Sequence, residues 1–156
     1  ILATYLVHAG ERDLAEGRYR GCAERARDRG WADLSAQALM ATGSLRLLSR
    51  DRSGASIAYA QAGRVARDGK LPDLAIEGYR MAGQLALEDG NEEVASRAFI
   101  QAITIANGIS PDAAGRTSAP MAARQLADHF AKSGLGPQAA SLRQQADAFE
   151  RAARAG

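Results

Sequence analysis

Apolar residues recur every three or four positions along most of the chain, which is the spacing of one helix face. Leu14, Ala15, Tyr19, Cys22, Ala23 and Ala26 predict a helix over 13–29, and Leu34, Ala38, Ala41, Leu45 and Leu48 predict another over 31–48. Ahead of these, Leu2, Tyr5, Leu6 and Val7 read as the end of a helix closed by Gly10. The polar run 49–54 breaks the pattern, which resumes over 55–67 and stops at Asp68 and Gly69. Pro72 suits the first turn of a helix reaching residue 88, because its missing N–H is not needed there. Asn91 reads as the N-cap of the next helix, with Glu92 and Glu93 at the positive end of its dipole and Gly108 just past its end. Pro120 would kink a helix begun at Pro111, so 108–118 reads as a loop. Two further helices follow, one ending at Lys132 and one over 137–155, joined by a turn at 133–136.

The clearest stretch is 79–106, a helix, a turn at Asp89-Gly90-Asn91 and a second helix packed back on the first. Its small and large residues recur at a fixed offset. Ala15, Ala55 and Ala95 are 40 apart, as are Tyr19, Tyr59 and Phe99, then Cys22, Ala62 and Ala102, then Ala26, Ala66 and Ala106. The alternate helices keep the same offset: Leu34 and Leu74, Gly43 and Gly83, Leu45 and Leu85, Leu47 and Leu87. Small residues where helices approach closely, with an aromatic where a gap must be filled, predict stacked helical hairpins. The units are approximately 1–30, 31–70, 71–110 and 111–156, a single repeat domain.

Composition narrows the class. The chain is 46% hydrophobic, largely through alanine, and only 5% aromatic, which favours helix over strand. Twenty basic residues against 18 acidic ones leave a net charge of +2, too even for a nucleic-acid-binding surface. Cys22 has no partner for an internal disulfide, which fits a reducing cytoplasm, and no apolar run approaches the roughly 20 residues of a membrane span. No basic segment precedes the apolar first residues as in a signal peptide, and Ile1 is not a start methionine. The expectation is that more chain precedes Ile1, or that its apolar edge makes a homotypic contact between copies.

These residues resemble the tetratricopeptide repeat. The third unit carries Ala82-Gly83, Ala86, Gly90, Ala95, Phe99 and Ala102 where that pattern has its small residues, turn glycine and aromatic. The last carries Leu126-Ala127, Phe130, Gly134, Ala139 and Ala146, with Arg143 in place of an aromatic. In the second, Gly43, Ala55, Tyr59 and Ala62 fit, while Arg46 and Arg50 replace an aromatic and the turn glycine. The usual unit is shorter, and the 40-residue spacing resembles the extended members of the family, such as kinesin light chains and bacterial regulators. The resemblance implies an all-α, right-handed α-solenoid of seven or eight helices that binds a peptide or protein segment in its concave groove. Carried over position by position, the groove side holds Thr4 and His8, then Gln37, Met40 and Ser44, then Arg80 and Gln84, then Arg124 and Asp128. Arg80 and Arg124 fall at equivalent places, and two forked guanidiniums facing one groove could clamp a carboxylate. The asparagines and lysines of the family's co-chaperone clamp are missing, so that clamp is expected to be absent. The same resemblance leaves two other roles open, a sensing domain of a larger bacterial regulator and a secretion-type chaperone or adaptor.

Catalytic and cofactor chemistry is not expected. The Gly134-Leu-Gly136 fingerprint joins two helices with no strand before it, and Gly63 to Lys70 has the wrong spacing for a phosphate loop. His8 and His129 have no second ligand at metal spacing, and Asp128 points to a different helix face from its neighbour His129. Cys22 stands where later units have alanine, the place of a packed small residue. Arg18, Arg20, Arg25, Arg27 and Arg29 interleave with Glu16, Glu24 and Asp28, as on a solvated helix surface.

Overall fold

A computed structural model describes residues 11–156. The helix expected over 1–9, and with it Thr4, His8 and the apolar edge at Ile1, lies outside the described residues. Eight helices follow in order: α1 Arg12–Asp28, α2 Ala32–Leu48, α3 Arg52–Asp68, α4 Pro72–Glu88, α5 Glu92–Asn107, α6 Pro111–Arg116, α7 Ala119–Lys132 and α8 Gly136–Ala155. No strand occurs among the described residues. The chain is an α-solenoid in which helices pack chiefly on the next in sequence, except the short α6, which packs mainly on α8.

The first four connections are copies of one turn. After α1, the Gly30 N–H donates to the Arg27 carbonyl and the Trp31 N–H to the Ala26 carbonyl, the paired bonds of a Schellman motif. The same pairs recur from Arg50 and Asp51, from Lys70 and Leu71, and from Gly90 and Asn91, then once more from Gly134 and Leu135. Each motif sets one residue in the left-handed region: Gly30, Arg50, Lys70, Gly90 and Gly134, with φ of 72, 61, 59, 75 and 79°. Two of these turns differ from expectation. Gly69 keeps an ordinary φ of −81°, and Lys70 takes the left-handed place. Arg50 does so in the turn where glycine is replaced. An L-residue there costs roughly 1–2 kcal/mol, which the two backbone bonds offset. Arg50→Gly should therefore raise stability by about 1 kcal/mol, read as a higher urea midpoint with unchanged slope.

The N-terminus of α3 is another correction, since it lies at Arg52 and not at Ala55. The Gly54 N–H donates to Asp51 Oδ1 at 2.8 Å, so the aspartate caps the helix and the polar run shrinks to three residues. Asn91 caps α5 as expected, accepting from the Val94 N–H at 3.4 Å. The segment read as a loop over 108–118 contains α6. Pro111 opens it, Thr117 leaves the helix with an extended backbone, and Pro120 falls in the first turn of a new helix where it kinks nothing. α8 is 20 residues long and packs against both α6 and α7.

Alanine lines most helix contacts, and a few large side chains fill what is left. Ile76, Tyr79, Phe99, Leu126 and Phe149 anchor the cluster shared by α4 to α8. Tyr59 lies over Gly43 and Phe99 over Gly83, where a Cβ would come within 2.8 and 2.9 Å of the rings. Two buried hydroxyls are satisfied across helix pairs: Ser35 donates to the Ala23 carbonyl and Ser56 to the Ala82 carbonyl, both at 2.9 Å.

Candidate functional site

Beyond the contacts between successive helices, α2 touches α4 and α4 touches α7, whereas α1, α3 and α5 share no comparable contact with one another. The helices α2, α4 and α7 thus form one continuous layer, and they carry every expected groove residue among those described.

Arg80 is the most constrained of them. It is 8% exposed, and its guanidinium forks onto Glu77, with Nε to Oε2 at 2.9 Å and Nη2 to Oε1 at 2.7 Å. Its Nη1 donates to Gln84 Oε1 at 3.1 Å. The same Gln84 oxygen accepts from Gln125 Nε2 at 3.3 Å, and Gln84 Nε2 donates to Glu88 at 3.1 Å. A continuous polar chain therefore ties α4 to α7. Arg124 is held by α8, with Nη2 on Asp147 at 2.9 Å and on Glu150 at 3.0 Å, and Nη1 on the second Glu150 oxygen. Asp128 pairs with Arg143 at 3.0 Å. The expected clamp of two open guanidiniums is not what these residues form, because Glu77 fills one fork and Glu150 with Asp147 the other. Glu77 was within reach of sequence reasoning at i,i+3, whereas Glu150 lies 26 residues from Arg124.

The remaining residues on this layer are polar or softly apolar. Gln37 and Ser44 are exposed, and Ser44 Oγ lies 2.8 Å from the Tyr59 hydroxyl. Met40 is half-buried against the Tyr59 and Leu85 cluster, and so is Met81, which the groove assignment missed. Met121, also missed, is 53% exposed beside a recess of about 380 Å³ bounded by Pro120, Arg124, Gln125 and Glu150. All three methionines of the chain thus lie on α2, α4 and α7.

The Arg80 fork holds the Glu77 carboxyl below the usual carboxylate range, with burial opposing the effect. A depressed folded pKa contributes stability that is present above the ordinary glutamate value of 4.5 and is lost as pH falls through the lowered one. Wild-type protein should therefore lose melting temperature between about pH 5 and 3 more steeply than Glu77→Gln, with the two curves converging at the acid end. A Glu77→Gln curve parallel to wild type would remove the pair from the stability balance.

Among the described residues no group of three or more His, Cys, Asp or Glu could hold a metal ion. His129 Nε2 approaches only Glu92, at 4.0 Å, and Cys22 is a partly buried free thiol. No helix among the described residues is long and apolar enough to cross a membrane.

No protein-family model matches the sequence, and no curated protein matches it. Solved structures do. BtubC (BKLC) from P. vanneervenii superimposes with a TM-score of 0.66 at 17% identity over 99% of this chain, which spans 62% of that protein's length. MamA aligns over 100% of this chain and 98% of its own, at 14% identity and a TM-score of 0.41. The fold is that of a tetratricopeptide-type solenoid.

Proposed function

We propose that the chain is a protein-interaction module that holds a peptide or short protein segment against α2, α4 and α7, with no catalytic step. The observation that carries this is the placement of Met40, Met81 and Met121 on that one layer, interleaved with the Gln84 and Gln125 amides. Methionine is unbranched and polarisable, so it adapts to apolar side chains of varied shape. The amides add directional hydrogen bonds, and the buried Arg80–Glu77 fork keeps the surface rigid before a partner arrives. With both arginine forks filled internally, the segment bound here would be anchored by apolar side chains and not by a carboxylate. The tetratricopeptide-type fold supports the reading, since stacked hairpins offer an extended preformed surface.

The three methionines supply the test. A binder selected from a random displayed peptide library is titrated into protein carrying 13C-methyl methionine. The signals of Met40, Met81 and Met121 should move together, and Met81→Asp should weaken binding at least tenfold. Selected binders that leave all three signals in place would overturn the assignment.

A further inference from the structure

The opposite face carries a second, chemically different opening. A cleft of about 380 Å³ lies between α1 and α3 and is floored by α2. Arg20 and Arg27 enter it from α1, Arg46 from α2 and Arg64 from α3, against one lining carboxylate, Glu24. Glu16 serves Arg20 and Arg46 at once, at 2.6 and 2.9 Å, so a single negative charge is shared by two positive ones. Arg27 is 3.9 Å from Asp28, with both side chains largely in solvent, and Arg64 makes no ion pair among the described residues. The hydroxyls that reach the cleft are already used, Ser35 on the Ala23 carbonyl and Thr42 on the Ala38 carbonyl. The donors left facing it are the guanidiniums and the Gln61 amide on α3. Between them the walls are apolar, with Leu39, Val65 and Ile57, the last 55% exposed.

One large side chain distinguishes this cleft from the next interval, beside the alanines Ala23 and Ala38 that stand where that interval has Gly63 and Gly78. At the 40-residue offset Leu39 corresponds to Tyr79, whose ring is buried against α3, within 3.0 Å of where a Cβ on Gly63 would stand. The next interval thus carries an aromatic ring at this place, and the first carries the smaller Leu39. We propose that this outer cleft binds an acidic peptide segment that inserts one aromatic side chain over Leu39, in the place Tyr79 fills one unit later, while flanking carboxylates pair with Arg20, Arg27 and Arg64. Charge complementarity selects the flanks and the unfilled volume selects the ring.

The probe is a fluorescein-labelled heptapeptide with a central tyrosine between two runs of three glutamates, followed by anisotropy. Binding should weaken as salt rises, and at least tenfold when alanine replaces the tyrosine. Leu39→Tyr, which fills the cleft from within, should cost at least tenfold, and so should Arg64→Glu at an exposed position that tolerates change. Met81→Asp on the other face should leave this peptide's binding unchanged, which separates the outer cleft from the inner layer. No binding by wild-type protein, equal binding of a lysine-flanked analogue, or affinity retained by Arg64→Glu would each overturn the proposal, the last deciding even if Leu39→Tyr fails to fold.

Discussion

Phe99→Ala is expected to lower the unfolding free energy by about 3–5 kcal/mol, the largest effect of any single truncation proposed for this chain. The ring is fully buried and belongs to the cluster with Ile76, Tyr79, Ala102, Leu126 and Phe149 that joins α5 to α4, α7 and α8. It also stands over Gly83, whose missing side chain leaves room for it alone. Alanine cannot refill that space, because most of the cluster's other members are themselves alanines with no side chain long enough to move in. The transition should also change shape. The α2 to α4 helices keep a separate cluster around Tyr59 and Leu85, so loss of Phe99 should weaken the carboxyl-terminal helices more than these. Circular dichroism against urea would show a broadened or two-step curve in place of a single one. A single sharp transition shifted by less than 1 kcal/mol would contradict the role given to this ring.

Gly78→Ala is expected to destabilise by about 1–3 kcal/mol although the substitution normally favours a helix by about 1 kcal/mol. A Cβ at this position would come within 2.7 Å of the Gly63 nitrogen and 2.9 Å of the Tyr59 carbonyl oxygen. Both are backbone atoms of α3, so neither can rotate away and the two helices must separate. Gly17, in α1, provides the opposite case, with nothing within 4 Å of an added Cβ. Gly17→Ala should stabilise by up to about 1 kcal/mol. The pair of urea midpoints, moving in opposite directions for the same chemical change, tests whether the α3–α4 contact is governed by backbone approach. Two shifts of the same sign would show that it is not.

The 40-residue offsets were legible because they record side chains that must meet in every unit, such as Ala55, Tyr59 and Ala62 against Ala95, Phe99 and Ala102. The turns were harder to read, since their geometry is held by backbone bonds that Arg50 and Lys70 make as well as Gly30 and Gly90 do. Listening only for glycine at the left-handed place hides two of the five. α6 was missed because a proline reads as a kink when it is also an ordinary first-turn residue, and the extended Thr117 between the two helices leaves no mark in composition. On the inner layer, position along α2, α4 and α7 could be read, but the state of each charge could not. Whether a guanidinium is open depends on groups such as Glu150 and Asp147, brought in by a different helix. The difference at the outer cleft, Leu39 where the next unit has Tyr79, was visible all along in the same offset that revealed the repeat.

The recurring three-residue turn has a kinetic consequence. Because each helix meets chiefly the helices next to it in sequence, few contacts require a long stretch of chain to be closed first, and mean contact separation stays low. Assembly can begin at any adjacent pair and grow outward one helix at a time. The same locality governs opening. Amide exchange should slow stepwise from the outer helices toward α4 and α5, with each step the size of one helix, so that an end can fray while the centre stays closed.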